Sequence, residues 1–426
     1  MTKPAKLFNR HFILLWQGQF VSQLGNQLHT IAMMFWIKHA TGSASLMGTI
    51  VMVAMLPAVL LGPIGGTVAD RFSRRRIIIV CDILRGLCVL SLAWMIVRSG
   101  ETTPFLITYL FIIAVVMGIC GAFFRPAISA AIPDLVPTKK VPAANSLNQS
   151  SMQVAGLVGQ GLGGLLFRVM GAPLLFFIDG LSYIFSGISE CFIKIPQPAT
   201  EKHRSNRDLM DKFKQETAEG FRYVWRHKGM RNMFLIAAVL NFIMAPLGIL
   251  LPFFVEDHLH TTSDWFGYIL AGFGLGALVG YALAGLIKPA GKTRCTIVII
   301  FLILTSLLLS ALYWVTTPLG ALILFTVFGA MNGLVNINII SILQMSTASE
   351  IRGRVFGLLG TLASGLSPIS MGLAGVLVDA TGHNIPMIYL ITGILAALVT
   401  ILVSLDRHFR DFLSYTPPAE EAVVEP

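Results

Sequence analysis

Long apolar runs alternate with short charged segments along the whole chain. Read as runs bounded by charges, they predict helices near 12–37, 45–69, 77–97, 104–132, 144–168, 173–193, 232–255, 264–287, 295–315, 318–345, 353–378 and 385–405. At ~1.5 Å per residue, runs of this length cross a hydrocarbon layer of ~30 Å. The pattern predicts an all-α membrane protein with twelve transmembrane helices in two six-helix halves. These halves span 1–194 and 232–405, with a linker over 195–231 and a tail over 406–426. Pro196-Gln197-Pro198 ends the sixth helix. Beyond it Met210, Phe213, Phe221 and Val224 fall near helical spacing among charged residues, which predicts an amphipathic helix lying on the membrane face.

Composition removes the soluble alternative, since 55% of residues are hydrophobic and only 12% charged. With a cytoplasmic N-terminus, the inner segments hold 26 of the 31 Lys and Arg residues. Lys38, Arg98 and Arg168 fall outside, and Arg85 and Arg125 fall within helices. This positive-inside bias predicts a multi-pass protein of the cell's plasma (inner) membrane with both termini cytoplasmic. The net charge of +10 is then a topology signal and implies no nucleic-acid partner. The first run is Gln-rich and long, without a small-residue cleavage site, and predicts an uncleaved helix. Cys81, Cys88, Cys120, Cys191 and Cys295 show no metal-ligand spacing. No P-loop, zincin motif or nucleophile elbow occurs, so neither an enzyme nor ATP-driven transport is expected, and no cofactor or metal is implied. His203 and Asp208 share an acyltransferase-like spacing, but no companion motif accompanies them.

The halves echo each other. Gly159-Gln160-Gly161-Leu162-Gly163-Gly164 has a counterpart in Ser367-Pro368-Ile369-Ser370-Met371-Gly372. Related halves are the mark of a transporter built from repeats, with its substrate at their interface. Between the second and third runs stands Gly65-Gly66-Thr67-Val68-Ala69-Asp70-Arg71-Phe72-Ser73-Arg74-Arg75-Arg76. This resembles the G-x-x-x-D-R-x-G-R-R/K signature of the major facilitator superfamily, with Ser73 where many members have Gly. Further segments resemble its macrolide-efflux and enterobactin-exporter branch: Ser22-Gln23-Leu24-Gly25, Thr41-Gly42-Ser43-Ala44, Pro133-Asp134-Leu135-Val136-Pro137, Ala144-Asn145, Asp179-Gly180-Leu181-Ser182 and Arg352-Gly353-Arg354-Val355.

The resemblance implies the superfamily fold, alternating access and export of a bulky amphiphile, usually in exchange for protons. Drug or macrolide-like export is the leading reading, with a siderophore exporter or a lipid or lysophospholipid carrier as alternatives. Implied partners are an amphiphilic small molecule, protons and membrane lipid, with the chain expected to work as a monomer. The resemblance marks Gly66, Asp70, Arg71, Arg74, Arg75, Arg352 and Arg354 as a gating motif. Asp70 is expected to meet the helix end that starts near Arg352, where arginines and a helix dipole favour an anion. Three positions depart from the pattern: Gln160 replaces a Pro common in drug antiporters, Met117 replaces a signature Arg, and Asn26 stands where many relatives have an acid.

Charges inside the apolar runs are candidates for function. Asp82, Arg85, Arg125 and Glu190 count to similar depths and, being two of each sign, can neutralise one another. Asp82 and Arg85 stand three apart on one helix face. Asp179, Tyr183, Ser186 and Glu190 form one polar stripe. Asp179, Glu190 and Asp82 are candidates for carrying the coupling proton; a static ion-pair lock and substrate contact are the competing roles. Asp179 is the favoured carrier, because no Lys or Arg lies in the membrane at its depth. Gln19, Gln23, Asn26 and Thr30 on the first helix, with Asn332 and Asn336 on the tenth, are expected to line the substrate cavity.

Overall fold

The computed structural model describes residues 6–100, 103–195, 215, 218–287 and 289–416. Helices and turns account for all regular structure among these residues, without a strand. Predicted positions Met210, Phe213, His203 and Asp208 lie outside them.

Local capping explains where the early helices begin and end. Asn9 accepts hydrogen bonds from the backbone N–H groups of His11 and Phe12, starting α1 (Arg10–Thr41), and Gly42 at φ 65° closes it. Ser43 caps α2 (Ala44–Arg71). Ser73 caps α3 (Arg74–Ser99), accepting from the Arg76 N–H, which accounts for a serine at the signature's usual glycine. Thr103 caps α4 (Pro104–Leu135), whose first residue is a proline that has no N–H to leave unpaired.

The fifth and sixth predicted helices run on as α5 (Val141–Cys191), interrupted at Gly171, whose φ of 71° and ψ of 167° are not helical. Only glycine enters that region without strain, and Pro173 then starts the second segment. The chain continues as α6 (218–226), α7 (Lys228–Met244), α8 (Leu247–Phe253), a π-helical turn (Phe254–His258), α9 (Asp264–Ile287) and α10 (Gly291–Ala311). It ends in α11 (Pro318–Ser346), α12 (Ser349–Gly365), α13 (Ser367–Ala380), α14 (Ile385–Ser404) and α15 (Arg407–Leu413). The predicted helices 232–255 and 353–378 are therefore each broken, next to Pro246 and Pro368, since proline withholds a helical donor.

Ten segments of the described chain are long and apolar enough to cross a membrane. One of them, Thr138–Cys191, holds two crossings separated at Gly171. α1 has 32 residues, but its row of Gln and Asn side chains makes it too polar for that count. With α1 included the set matches the twelve crossings expected.

Two compact units emerge. The first comprises Met1–Ser205, Pro246–Ala271 and Pro368–His383. Here α1 lies along α5, α2 against α4, and α3 against both α4 and α5. Phe12, Leu15, Ile78, Phe124 and Ile128 share one apolar core. The Gly159–Gly164 run is the contact surface of α5: a methyl group at Gly159 would strike Gln27, one at Gly163 Ile31, and one at Gly164 the Ser263 carbonyl. Small residues let helices approach this closely in an apolar medium, where packing supplies the attraction.

The second unit comprises Asn206–Ala245, Gly272–Ser367 and Asn384–Pro426. α10 packs on α14 and α11, and α7 packs on α12, α14 and α15. Val224, Met230, Phe234, Val298, Ile342, Val355 and Phe409 form its core. Two of the places where the chain passes between units, Ala245/Pro246 and Ser367/Pro368, are proline-linked breaks; it also passes at Ala271/Gly272 within α9 and at His383/Asn384.

Candidate functional site

Within the first unit, α1 turns its amide row toward the second segment of α5. Gln19 Nε2 donates to Glu190 Oε1 at 2.9 Å, and Tyr183 OH donates to Asn26 Oδ1 at 3.0 Å. His29 Nδ1 stands 3.2 Å from Asp179 Oδ2, and the imidazole ring lies 4.9 Å from that of Phe176. Ser182 Oγ donates to the Asp179 carbonyl at 2.7 Å, and Ser186 Oγ reaches Glu190 Oε1 at 3.4 Å. Asp179 is 0% exposed and Glu190 1%. Carboxyl groups taken so far from water need partners or a proton, because an isolated buried charge is very costly.

α3 adds Asp82, also 0% exposed, with Arg85 Nη1 3.8 Å from its Oδ1. The Arg85 guanidinium lies over two rings, 4.4 Å from the centre of Phe124 and 5.7 Å from that of Tyr183. Arg85 thereby links the Asp82 and Asp179 ends of the cluster through Tyr183. Arg125, expected to share in this neutralisation, is exposed on the helix surface and forms no ion pair with Asp82.

The predicted cavity residues divide. Gln19 is buried against Glu190, Gln23 and Asn26 are half-buried, and Thr30 is exposed, donating to the Asn26 carbonyl at 2.9 Å. Asn332 and Asn336 are exposed on α11 of the second unit. Hydropathy alone assigned no partner to His29. A methyl group at Gly25 would lie 2.6 Å from Asp179 Oδ1 and strike Ser182 Oγ. Gly25→Ala is thus expected to force α1 from α5, lowering stability by ~1–3 kcal/mol. Thermal unfolding in detergent measures this, and an unchanged midpoint would contradict the tight approach.

The signature loop fastens helix ends of the same unit. Arg74 donates to the Ala130 carbonyl at 2.9 Å and to Asp134, while Arg75 donates to the carbonyl of Cys191. Asp70 Oδ1 lies 3.5 Å from Arg74 Nη2. The arginines so occupy the negative ends of α4 and α5, where cations are favoured. Arg71 and Gly66 stand in the last turns of α2, and Arg354 pairs with Glu219 in the second unit, where Arg352 donates to the Thr347 carbonyl at 3.2 Å.

At the other end of α2, ~40 Å away along the helix, a second charged cluster escaped the sequence reading. Lys38 Nζ donates to Glu256 Oε2 at 2.7 Å and Asp257 Oδ1 at 2.6 Å, and His39 Nε2 lies 2.9 Å from Glu256 Oε2. Asp379 accepts from Ser43 Oγ at 2.8 Å and from the backbone N–H groups of Ala44 and Ser45, both at 2.9 Å, so that a carboxylate of α13 caps α2. His383 Nε2 stands 3.2 Å from the same carboxylate. These contacts bind Pro246–Ala271 and Pro368–His383 to α1 and α2. The available signal was Lys38 itself, an exception to the charge bias, together with the acid pair Glu256-Asp257. Among the described residues no group of three His, Cys, Asp or Glu side chains could hold a metal ion.

Comparison with known proteins follows the same line. The sequence model of the Major Facilitator Superfamily matches residues 15–370. The chain belongs to this superfamily of multi-pass membrane transporters. It is 26% identical over 412 residues to macrolide efflux protein A of Streptococcus pyogenes, covering 94% of this chain and 96% of that one. It is also 26% identical to the multidrug efflux pump Tap of Mycobacterium tuberculosis, covering 93% and 94%. Among solved structures, the nucleoside transporter NupG has a TM-score of 0.69 at 12% identity, covering 94% of this chain and 98% of that one. A bacterial homolog of the human lysosomal transporter Spinster, inward-facing and unoccupied, has a TM-score of 0.69 at 14% identity, covering 96% and 98%. Both likenesses concern the fold.

Proposed function

We propose that this protein exports bulky amphiphilic small molecules of the macrolide and multidrug kind, by proton antiport with alternating access. The observation that carries the reading is the fully buried Asp179 beside His29, joining α1 to α5. A carboxylate beside an imidazole offers a place to hold a transported proton, and a buried pair of this kind has no structural need that apolar packing would not serve as well. The likeness to macrolide efflux protein A and Tap, each over more than nine-tenths of the chain, supports the substrate class.

In this reading the signature loop and both termini face the cytoplasm, the linker over 195–231 joins two six-helix halves, and the Lys38 and Asp379 clusters close the outer end. The polar row Gln23, Asn26 and Thr30, with Asn332 and Asn336, meets the substrate. Asp70 with Arg352 and Arg354 serves closure at the cytoplasmic end. The proton gradient drives the cycle, with a membrane potential worth ~2.3 kcal/mol per charge per 100 mV.

The test is efflux from cells stripped of their own pumps and loaded with a macrolide, an amphiphilic dye, a siderophore or a lysophospholipid. Macrolide and dye efflux that stops on adding a protonophore is the expected result. Undiminished efflux after the gradient collapses, with ATP maintained, excludes proton coupling, and export of the siderophore or lysophospholipid alone replaces the drug reading.

A further inference from the structure

α6 and the start of α7 gather aromatic and cationic side chains into one strip on the second unit. Val224 is 0% exposed and packs in the core beside Val355 and Met230. Phe221, Arg222, Trp225 and Arg226 stand exposed on the remaining surface of the helix. Their spacing sets an aromatic pair and an arginine pair side by side, each pair one turn apart. The Phe221 and Trp225 rings stack with centroids 4.5 Å apart and planes at 18°, yet the two residues remain 42% and 43% exposed. The Arg231 guanidinium lies 6.0 Å from the Trp225 ring, and Lys228 is exposed beside it. Residues 218–231 contain one acid, Glu219, and it is engaged by Arg354.

The placement of the strip gives it meaning. The apolar crossing Lys228–His258 starts where α6 ends, so the strip stands at the level where a membrane crossing begins. In water a stacked Phe–Trp pair left this open would be unfavourable; at the headgroup level, tryptophan finds its preferred surroundings. Guanidinium groups offer paired donors to phosphate oxygens, and cations beside a crossing attract anionic headgroups. We propose that Phe221, Arg222, Trp225, Arg226 and Arg231 form a binding site for an anionic phospholipid of the surrounding leaflet, with the arginines on its phosphate and the rings among its upper acyl carbons.

The helix that carries this site also braces the turn between α11 and α12. Glu219 accepts from Arg354, Tyr223 OH donates to the Ser346 carbonyl at 3.5 Å, and a methyl group at Gly220 would lie 3.2 Å from Arg354 Cβ. A lipid seated on the outer face of α6 therefore steadies the segment bearing Arg352 and Arg354, which ties transport to leaflet charge.

The experiment measures lipid binding to the full chain by native mass spectrometry, with phosphatidylglycerol or phosphatidylcholine added in detergent. At about tenfold or less per arginine, Arg222→Gln with Arg226→Gln is expected to lower phosphatidylglycerol affinity ~10- to 30-fold and leave phosphatidylcholine unchanged. The double lysine variant is expected to retain most of the binding, and Arg407→Gln with Arg410→Gln all of it. Equal phosphatidylglycerol affinity in the glutamine variant and the unaltered chain overturns the site. A second measurement needs no substitution: hydrogen exchange of α6 amides in nanodiscs is expected to be slower in phosphatidylglycerol than in phosphatidylcholine. Equal exchange in both lipids also overturns it.

Discussion

Asp179→Asn is expected to abolish uphill efflux driven by a pH gradient while sparing substrate binding and substrate-for-substrate exchange. A difference of one pH unit supplies ~1.4 kcal/mol per proton, enough for about a tenfold accumulation when one proton exchanges for one substrate. In the variant that ratio should fall to about one. The amide keeps the shape and the contact with Ser182, so the α1–α5 packing survives, but a neutral group cannot exchange a proton with His29. Asp82→Asn should behave differently, because it removes the carboxylate from a buried pair and leaves Arg85 without it. The main consequence there is lost stability, of ~3–5 kcal/mol for an uncompensated buried charge, reduced by the two rings that face Arg85. His29→Gln is expected to keep substrate-for-substrate exchange but to weaken uphill efflux, since an amide cannot take up a proton beside Asp179. Vesicles with an imposed pH gradient measure Asp179→Asn and His29→Gln, and thermal unfolding in detergent measures Asp82→Asn. Continued uphill accumulation by Asp179→Asn would make Asp179 structural and turn attention to Glu190 and Asp82.

The second large effect concerns Lys38. It is 7% exposed and holds both Glu256 and Asp257, so Lys38→Met strips two carboxylates of their shared cation. Charge-assisted hydrogen bonds contribute ~1.5–3 kcal/mol each when shielded. Asp257, with a side chain 43% exposed, counts for little of that because solvent screens it. A net loss of ~2 kcal/mol favours separation of Pro246–Ala271 from α1 by about 30-fold. Amide exchange at Leu259 and Thr261, whose N–H groups donate to the carbonyls of Phe254 and Val255, should quicken by a similar factor. Transport should slow if, as proposed, the closed arrangement of this end is one of the states of the cycle. Glu256→Gln should act in the same direction but less, since its amide oxygen can still accept from Lys38 while the charge that assists the bonds to Lys38 and His39 is gone. Unaltered exchange at both amides would show that the cluster holds nothing in place.

Much of the architecture was legible along the chain because it rests on local quantities. Twenty apolar residues in succession have one stable destination, and the scarcity of charge within them sets where each crossing starts and stops. The Asp70–Arg76 signature was readable for the same reason. Ser73 caps α3 from its own position, whereas the motif's Arg74 and Arg75 reach the carbonyls of Ala130 and Cys191, 56 and 116 positions along the chain, which only the fold brings near. Hydropathy also marked Asp82, Asp179 and Glu190 as candidates simply by their presence in apolar runs, and it marked the polar row of α1 from Gln19 to Thr30. The separation at Gly171 was visible as the gap between the predicted helices 144–168 and 173–193. The breaks beside Pro246 and Pro368 had visible residues but no visible reason, since a proline inside an apolar run is tolerated wherever neighbours take up the freed carbonyl.

Sequence alone therefore determined that the chain is a helical membrane protein, where its crossings run and which buried charges require an explanation. Tertiary structure decided which of those charges meet. His29 reaches Asp179 across 150 positions, and Lys38 reaches Glu256 across 218, because glycines let particular helices touch: Gly25 against Asp179 and Ser182, Gly164 against Ser263. Arg125 and Arg85 look alike in the sequence, yet only Arg85 turns inward to Asp82. Burial is a property a residue carries through its own transfer energy and can be summed along the chain. Partnership depends on the rotation and approach of two helices, which the packing of small residues fixes only when the whole unit has assembled.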